Sequence, residues 1–284
     1  MATDLLSARG WPAPAKLNLF LHLTGRRPDG YHELQTVFQF LDFGDRLFFE
    51  LDGDGEVRHL NPLPGVPEAE DLAVRAARAL REAAGVRAGV RIRIDKRLPL
   101  GGGLGGGSSD AATTLVVLNR LWDAGLDEDR LAELGLALGA DVPVFVRGFA
   151  AWAEGVGERL LPVELDEPWY LVLVPPVTVS TAAVFSHPEL TRDSPRITIR
   201  DFLSGGGRND CEAVVRRIEP KVARALDWLG GRASARMTGT GGCVFAPFAS
   251  EAEARRVQAE APREWRSFVA RGLNRSPLHR LLEG

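Results

Sequence analysis

Residues 99–109 read PLGGGLGGGSS, six glycines in eleven positions. Without a Cβ, successive glycines can turn backbone N–H groups inward around an anion. A helix starting behind the loop adds the partial positive charge of its N-terminus, with serine hydroxyls as extra donors. Pro99, Leu100, Gly101, Gly102, Gly103, Leu104, Gly105, Gly106, Gly107, Ser108 and Ser109 are therefore expected to cradle a di- or triphosphate. The loop is not the common P-loop, which needs Gly-Lys followed by Ser or Thr, because Ser108 follows Gly107. It is also a poor dinucleotide fingerprint, since no acidic residue closes a second strand about 20 positions on. Hydride transfer is disfavoured.

The second group is Lys16 with Asn18. Only Lys16, Lys96 and Lys221 are lysines among 35 cationic residues, so each lysine carries some information. In PAKLNLFLHLT, residues 14–24, apolar and polar positions alternate strictly. That pattern predicts a half-buried strand with Lys16 and Asn18 on its polar face, about 7 Å apart and able to share one cleft. Asp141 stands in LGADVPVF, after Gly139 and before Pro143; it can cap the next helical turn or serve chemistry, and its position alone allows both. Tyr31 and His32 follow Gly30 at a strand start, where two rings can offer stacking and hydrogen bonds together. Phe185 offers a third ring, or a core side chain. The glycines of 239–242 let backbone approach either the phosphate loop or a substrate, and Cys243 reads as a packed thiol. His22, His59, His187 and His279 form no metal-ligand spacing with Cys211 or Cys243, so no protein-held transition metal is expected.

The elements that must position these groups are a sheet-rich start and a mixed remainder. Strands are predicted over 31–41 and 46–51, separated at Gly44, after a Pro-Asp-Gly turn at 28–30. Asp71 is placed to cap a helix carrying Leu72, Ala76 and Leu80, and Val90, Ile92 and Ile94 mark the strand before the glycine loop. A helix is predicted from Ser109 to Asp123 and another through Leu131, Leu134 and Leu138 to Gly139. Tyr170–Val174 reads as a central strand opening a second half, followed by one long helix over 210–229 despite Pro220. Strand-like segments at 243–248 and 268–270 close the pattern. The class is α+β, with domains at 1–158, for nucleotide and catalysis, and 159–284, for substrate.

Composition sets the limits. A chain of 284 residues with 45% hydrophobic and 26% charged residues is ordinary for a folded protein with a large core, and its apolar runs fall short of the roughly 18 residues of a membrane span. A net charge of -3 supplies no basic excess for a phosphate backbone, which argues against nucleic-acid binding. The first eighteen residues lack the pattern of a secretory leader, and two cysteines suit a reducing compartment, so a cytoplasmic protein is expected.

PLGGGLGGGSSDAAT resembles the second motif of the superfamily of galactokinase, homoserine kinase, mevalonate kinase and phosphomevalonate kinase; PAKLNLFL resembles its first and GTGGCVF, residues 239–245, its third. Residues 13–45, LGADVPVF, STAAVF and RNDCE are similar to the branch whose acceptor is a diphosphocytidyl-linked methylerythritol. The resemblance implies a two-domain fold with its active site in the interdomain cleft. It implies ATP and Mg2+ as cofactors, and phosphorylation of the acceptor's 2-hydroxyl on the non-mevalonate route to isoprenoid precursors. It makes Asp141 the general base and Lys16 its partner beside the transferred phosphate. Asn18 touches the polyol, and Tyr31, His32, Thr181 and Phe185 hold the cytidine end, with Gly239 and Thr240 on the substrate side. A monomer or weak homodimer acting on a small molecule is expected. In one place the chain departs from the family: Asp71-Leu72 stands where Asn-Leu often lies beside adenine. Other kinases of the superfamily and a non-catalytic nucleotide sensor are the rival readings; the GYH and STAAVF segments separate the first, and retention of both Lys16 and Asp141 the second.

Overall fold

The structure, a computed structural model, describes residues 10–28 and 30–283. The leader reading falls largely on residues 1–9, and the predicted turn includes residue 29; these lie outside the described residues. In chain order the elements are β1 (Trp11–Arg26), β2 (His32–Asp52), β3 (Val57–His59), α1 (Leu72–Ala84), β4 (Gly89–Asp95), α2 (Gly106–Leu121), α3 (Glu128–Leu138), α4 (Val142–Arg147), β5 (Ala151–Gly155) and β6 (Arg159–Pro162). The second half adds β7 (Trp169–Val174), α5 (Thr181–Ser186), α6 (Ile199–Leu203), α7 (Glu212–Ile218), α8 (Pro220–Gly230), β8 (Arg236–Met237), β9 (Val244–Phe248), α9 (Glu251–Ala259), β10 (Arg266–Leu273) and α10 (Pro277–Glu283).

One ten-stranded sheet runs through both halves in the order β3-β4-β2-β10-β7-β9-β8, with β1 and β5 also paired to β2 and β6 to β5. Strand β10 is the seam: it lies antiparallel to β7 from Arg266 to Arg271 and meets β2 through Gly272 and Leu273. One core lies where α1 to α4 and α10 cover β2 and β4, with Leu47, Phe49, Leu80, Ile92, Leu115 and Leu278 all buried. A second lies where α7, α8 and α9 cover β7 and β9, around Leu171, Leu173, Val215, Leu226 and Val244. A smaller cluster containing Leu17, Leu41, Leu104, Val172 and Phe245 joins strand β1 and the glycine loop to the second half. Among the described residues no helix is long and apolar enough to cross a membrane.

Four local expectations are corrected. Strand β1 is buried on both faces, because its polar side is roofed by the glycine loop and the segment around Thr238; Lys16 and Asn18 are 2% and 4% exposed. Register shifts at Pro14/Lys16, Asn18/Leu21 and Leu23/Gly25 also break the strict alternation. Gly44 does not divide two strands. It continues β2 opposite Pro14, where a Cβ would lie 2.2 Å from the Ala13 carbonyl oxygen, so glycine serves close strand approach. Helix α2 begins at Gly106, inside the glycine run, its first turn closed by Ser109 N–H donating to Gly105 O at 2.8 Å. Pro220 splits the predicted long helix into α7 and α8: lacking an N–H and clashing with the preceding turn, it occupies the first position of a new helix.

Candidate active site

The glycine loop ends in Gly105, the N-cap of α2, at φ 72° and with no side-chain cap. The first N–H groups of the helix are thus left to an outside acceptor, as an anion site requires. Gly103 is fixed by a different demand. Its φ is 75°, and a Cβ there would lie 2.3 Å from the Thr238 carbonyl oxygen, because the loop packs backbone to backbone against residues 238–243. Cys243 N donates to Gly102 O at 3.1 Å and Thr238 Oγ1 to Gly103 O at 3.1 Å, stitching the second and third motifs together. Asn209, from the RNDCE segment, donates to the Met237 and Gly239 carbonyls at 2.9 and 2.8 Å and so braces the third loop from behind.

Lys16 projects from β1 under this junction. Its ammonium lies 3.0 Å from Asp141 Oδ2, 2.5 Å from Asn18 Oδ1 and 3.2 Å from Gly103 O. Asn18 Oδ1 and Gly103 O accept hydrogen bonds from it, and Asp141 is its ion partner. The Phe38 ring stands 5.2 Å below it. Asn18 is itself held on both sides, accepting the Lys16 proton while its amide donates to Thr36 Oγ1 at 2.9 Å, and its backbone N–H donates to Thr238 Oγ1 at 3.0 Å. Asp141 occupies the N-cap position of α4, with Pro143 in the first turn, yet its side chain makes no capping bond. Of its two possible uses, the carboxylate takes the one facing Lys16, and it remains one-third exposed to the cleft.

Against Ala140, the residue before Asp141, lies a cavity of about 610 Å³, lined also by Tyr31, His32, Thr181 and Phe185. The rings singled out in the sequence are therefore together. His32 and Phe185 stack at 5.0 Å between centroids and 16° between planes, while Tyr31 is 64% exposed at the rim. Thr181 and Thr240, from α5 and the third loop, share a hydrogen bond of 2.8 Å. Burial, then the charges of Arg192 and Arg26, hold the His32 imidazole below its ordinary range.

A buried ion network behind the glycine loop escaped the sequence reading. Lys96 Nζ bonds Asp45 Oδ2 and Asp110 Oδ2, each at 2.6 Å. Asp45 Oδ1 accepts the backbone N–H groups of Arg97 and Leu98 at 2.6 and 2.8 Å. The triad thus ties the chain entering the loop to the first turns of α2 leaving it. Burial pushes the Asp110 carboxyl up to about 7, with the Lys96 ammonium pulling it down and the Asp45 charge adding to the rise. Asp71 caps α1 as predicted, accepting from Ala73 and Val74 N–H at 2.9 and 3.2 Å. The scarcity of lysine was the one signal that pointed at Lys96; nothing in the sequence pairs it with Asp45. Among the described residues no group of three or more His, Cys, Asp and Glu gathers to hold a metal ion.

Residues 71–149 match the family model described as GHMP kinases N terminal domain, and residues 194–267 match GHMP kinases C terminal. Over 272 residues the chain is 63% identical to the 4-diphosphocytidyl-2-C-methyl-D-erythritol kinase of Pseudomonas paraeruginosa, covering 96% of each chain. It is 60% identical to the enzyme of that name from Halorhodospira halophila, covering 95% of this chain and 94% of that one. A crystal structure of 4-(cytidine 5'-diphospho)-2C-methyl-D-erythritol kinase superposes with a TM-score of 0.81 at 36% identity, over 93% of this chain and 99% of that one. A mevalonate kinase at 16% identity shares the fold, with a TM-score of 0.68 over 94% of this chain and 100% of that one.

Proposed function

The chain belongs to the 4-diphosphocytidyl-2-C-methyl-D-erythritol kinase family of GHMP kinases, and on that premise we infer the reaction its cleft supports. It is an ATP-dependent phosphotransferase that converts 4-diphosphocytidyl-2-C-methyl-D-erythritol to its 2-phosphate, in isoprenoid precursor synthesis by the non-mevalonate route. The observation that carries the residue assignment is the Lys16 to Asp141 bridge of 3.0 Å, set between the glycine loop and the ring-lined cavity.

In this reading the phosphates of ATP lie on residues 99–109, against the uncapped N-terminus of α2. Asp141 orients the acceptor hydroxyl and takes its proton, while Lys16 offsets charge on the transferring phosphoryl oxygens. Phosphoryl transfer passes through a loose transition state, so positioning matters more than basicity. Asn18 accompanies the polyol, and Tyr31, His32, Phe185, Thr181, Gly239 and Thr240 hold the cytidine diphosphate end. Magnesium supplies charge neutralisation to the bound phosphates. The oxygen donors nearby suit it: Ser108, the buried and unpartnered Ser109 Oγ, and the Asp141 carboxylate are hard ligands, acting directly or through water. We place the enzyme in the cytoplasm as a monomer or weak homodimer acting on a small molecule.

The test is ADP release measured over a panel of cytidine-linked and free polyols. Turnover is expected only with the diphosphocytidyl methylerythritol, and Asp141→Asn and Lys16→Met are each expected to lower kcat by at least about 100-fold with unchanged circular dichroism. Near-normal turnover by either variant overturns the assignment of chemistry.

A further inference from the structure

Arg192 follows α5 and belongs to none of the groups above. Its Nε donates to His32 Nε2 at 3.1 Å, its Nη1 to Leu190 O at 3.0 Å, and its Nη2 to Phe185 O and His187 O at 2.8 Å each. All three guanidinium nitrogens are thus engaged, four acceptors being drawn together from β2, the end of α5 and the turn beyond it. A guanidinium only donates and stays protonated at any working pH. The His32 Nε2 that receives its bond must therefore carry the lone pair, and the neutral ring then has its proton on Nδ1. The cationic form has no acceptor nitrogen at all, so this bond and a doubly protonated ring exclude each other. The lowered pKa of His32 agrees with that. Among the described residues no protein group accepts from Nδ1, while the ring itself lines the cavity beside Phe185.

We propose that Arg192 is a specificity-positioning residue: it fixes His32 as the Nδ1–H tautomer, so that the ring offers the bound base a donor and never an acceptor. A donor facing N3 suits cytosine, whose N3 accepts. It opposes uracil, whose N3 carries hydrogen. The other Arg192 bonds keep Phe185 registered against the same ring, so one side chain sets both the stacking partner and the sign of the hydrogen bond. This inference rests on the cytidine-binding reading of the cavity.

The experiment has two arms. In the first, ¹⁵N-labelled protein without substrate is examined by imidazole nitrogen NMR at neutral pH, with the His32 signals identified by their loss in His32→Asn. The expected signature is a neutral ring protonated at Nδ1; an Nε2–H tautomer or a doubly protonated ring in the wild type overturns the proposal, whether or not any variant folds. In the second, Arg192→Met is compared with wild type on cytidine- and uridine-linked forms of the acceptor. The ratio of kcat/KM for cytidine over uridine is expected to fall by roughly 5- to 150-fold, the equivalent of one mismatched buried donor, mainly through KM for the cytidine form. His32 should also lose its single tautomer in that variant. Equal losses on both substrates, or an unchanged Nδ1–H signature in the variant, would reduce Arg192 to a structural tie. Failure of wild type to use any cytidine-linked acceptor would instead sink the functional reading, leaving the tautomer result standing by itself.

Discussion

Replacing Gly105 with alanine is the sharpest probe of the phosphate loop, because one methyl group meets two separate obstacles. The first is conformational: at φ 72° and ψ 20° the backbone is left-handed, which costs a residue with a Cβ about 1–2 kcal/mol. The second is steric. The added carbon would lie 2.8 and 2.9 Å from Phe145 Cζ and Cε2, and 3.1 Å from Lys16 Cε. Crowding a packed site of this kind costs about 1–3 kcal/mol, so the sum is about 2–5 kcal/mol of folding stability. Phe145 is 2% exposed and packs on Phe40 at 5.7 Å, and Lys16 is equally buried, so neither has free space and the loop must shift against the lysine. Its ammonium then leaves the 3.0 Å contact with Asp141, and a misplacement of about 1 Å in a reacting constellation can cost about 100-fold in rate. Urea unfolding and ADP-release kinetics on the same preparation measure both effects. Gly230→Ala is the control: nothing lies within 4 Å of its Cβ and it closes α8, so it should be neutral or slightly stabilising. A Gly105→Ala enzyme within about 0.5 kcal/mol of wild-type stability, with normal kcat, would refute the geometry assigned to the loop.

Phe185→Ala and Tyr31→Ala should raise KM for the cytidine-linked acceptor by roughly 5- to 150-fold, the equivalent of about 1–3 kcal/mol of base stacking. The ATP constant should stay within about threefold; if it rises as steeply, in steady-state kinetics with each substrate varied, the rings belong to the adenine site. A different measurement concerns Asp110, whose carboxyl is pushed by burial up to about 7 from an ordinary 3.8. Between those values the folded chain keeps a proton that the unfolded chain has lost, so this group's contribution to stability falls as pH rises through that window. In urea titrations at about pH 5 and about pH 8, the unfolding free energy of Asp110→Asn relative to wild type should therefore shift in the variant's favour at the higher pH. A difference that does not move with pH would mean that Lys96 keeps the carboxyl ionised throughout.

What could be read from the sequence was whatever local spacing dictates. The alternation of residues 14–24 marks β1, the glycine run marks a loop that ends at the uncapped N-terminus of α2, and Asp71 caps its helix as its position suggests. What escaped depends on partners distant in the chain. Gly44 looks like a strand break, but its lack of a side chain answers the Ala13 carbonyl across the sheet, so β2 runs on. The polar face of β1 looks solvated until the loops at 103 and 238 close over it. By position alone Asp141 could be a helix cap; the folded chain turns its carboxylate to Lys16, the partner that the family resemblance implied. The Asp45, Lys96 and Asp110 triad and the Arg192 fork join segments separated along the chain, and no periodicity encodes a buried ion pair.

The bonds of Lys16 also suggest how the cleft can admit a phosphoryl group without leaving a buried polar atom unpaired. Asn18 and the Gly103 carbonyl accept hydrogen bonds from the ammonium and Asp141 pairs with it as an ion, so an incoming oxygen competes with these three neighbours. On the proposed reading Asp141 stays beside the acceptor hydroxyl. Asn18 gives the shortest of the three contacts, 2.5 Å, and is pinned by Thr36 and Thr238. Gly103 O gives the longest, 3.2 Å, and it alone has a second donor in place, Thr238 Oγ1 at 3.1 Å. Its release therefore costs one bond without orphaning the carbonyl, whereas an unpaired buried acceptor would cost about 1–3 kcal/mol. Thr238, the residue before the third motif, thus holds the glycine-loop carbonyl that the lysine can release.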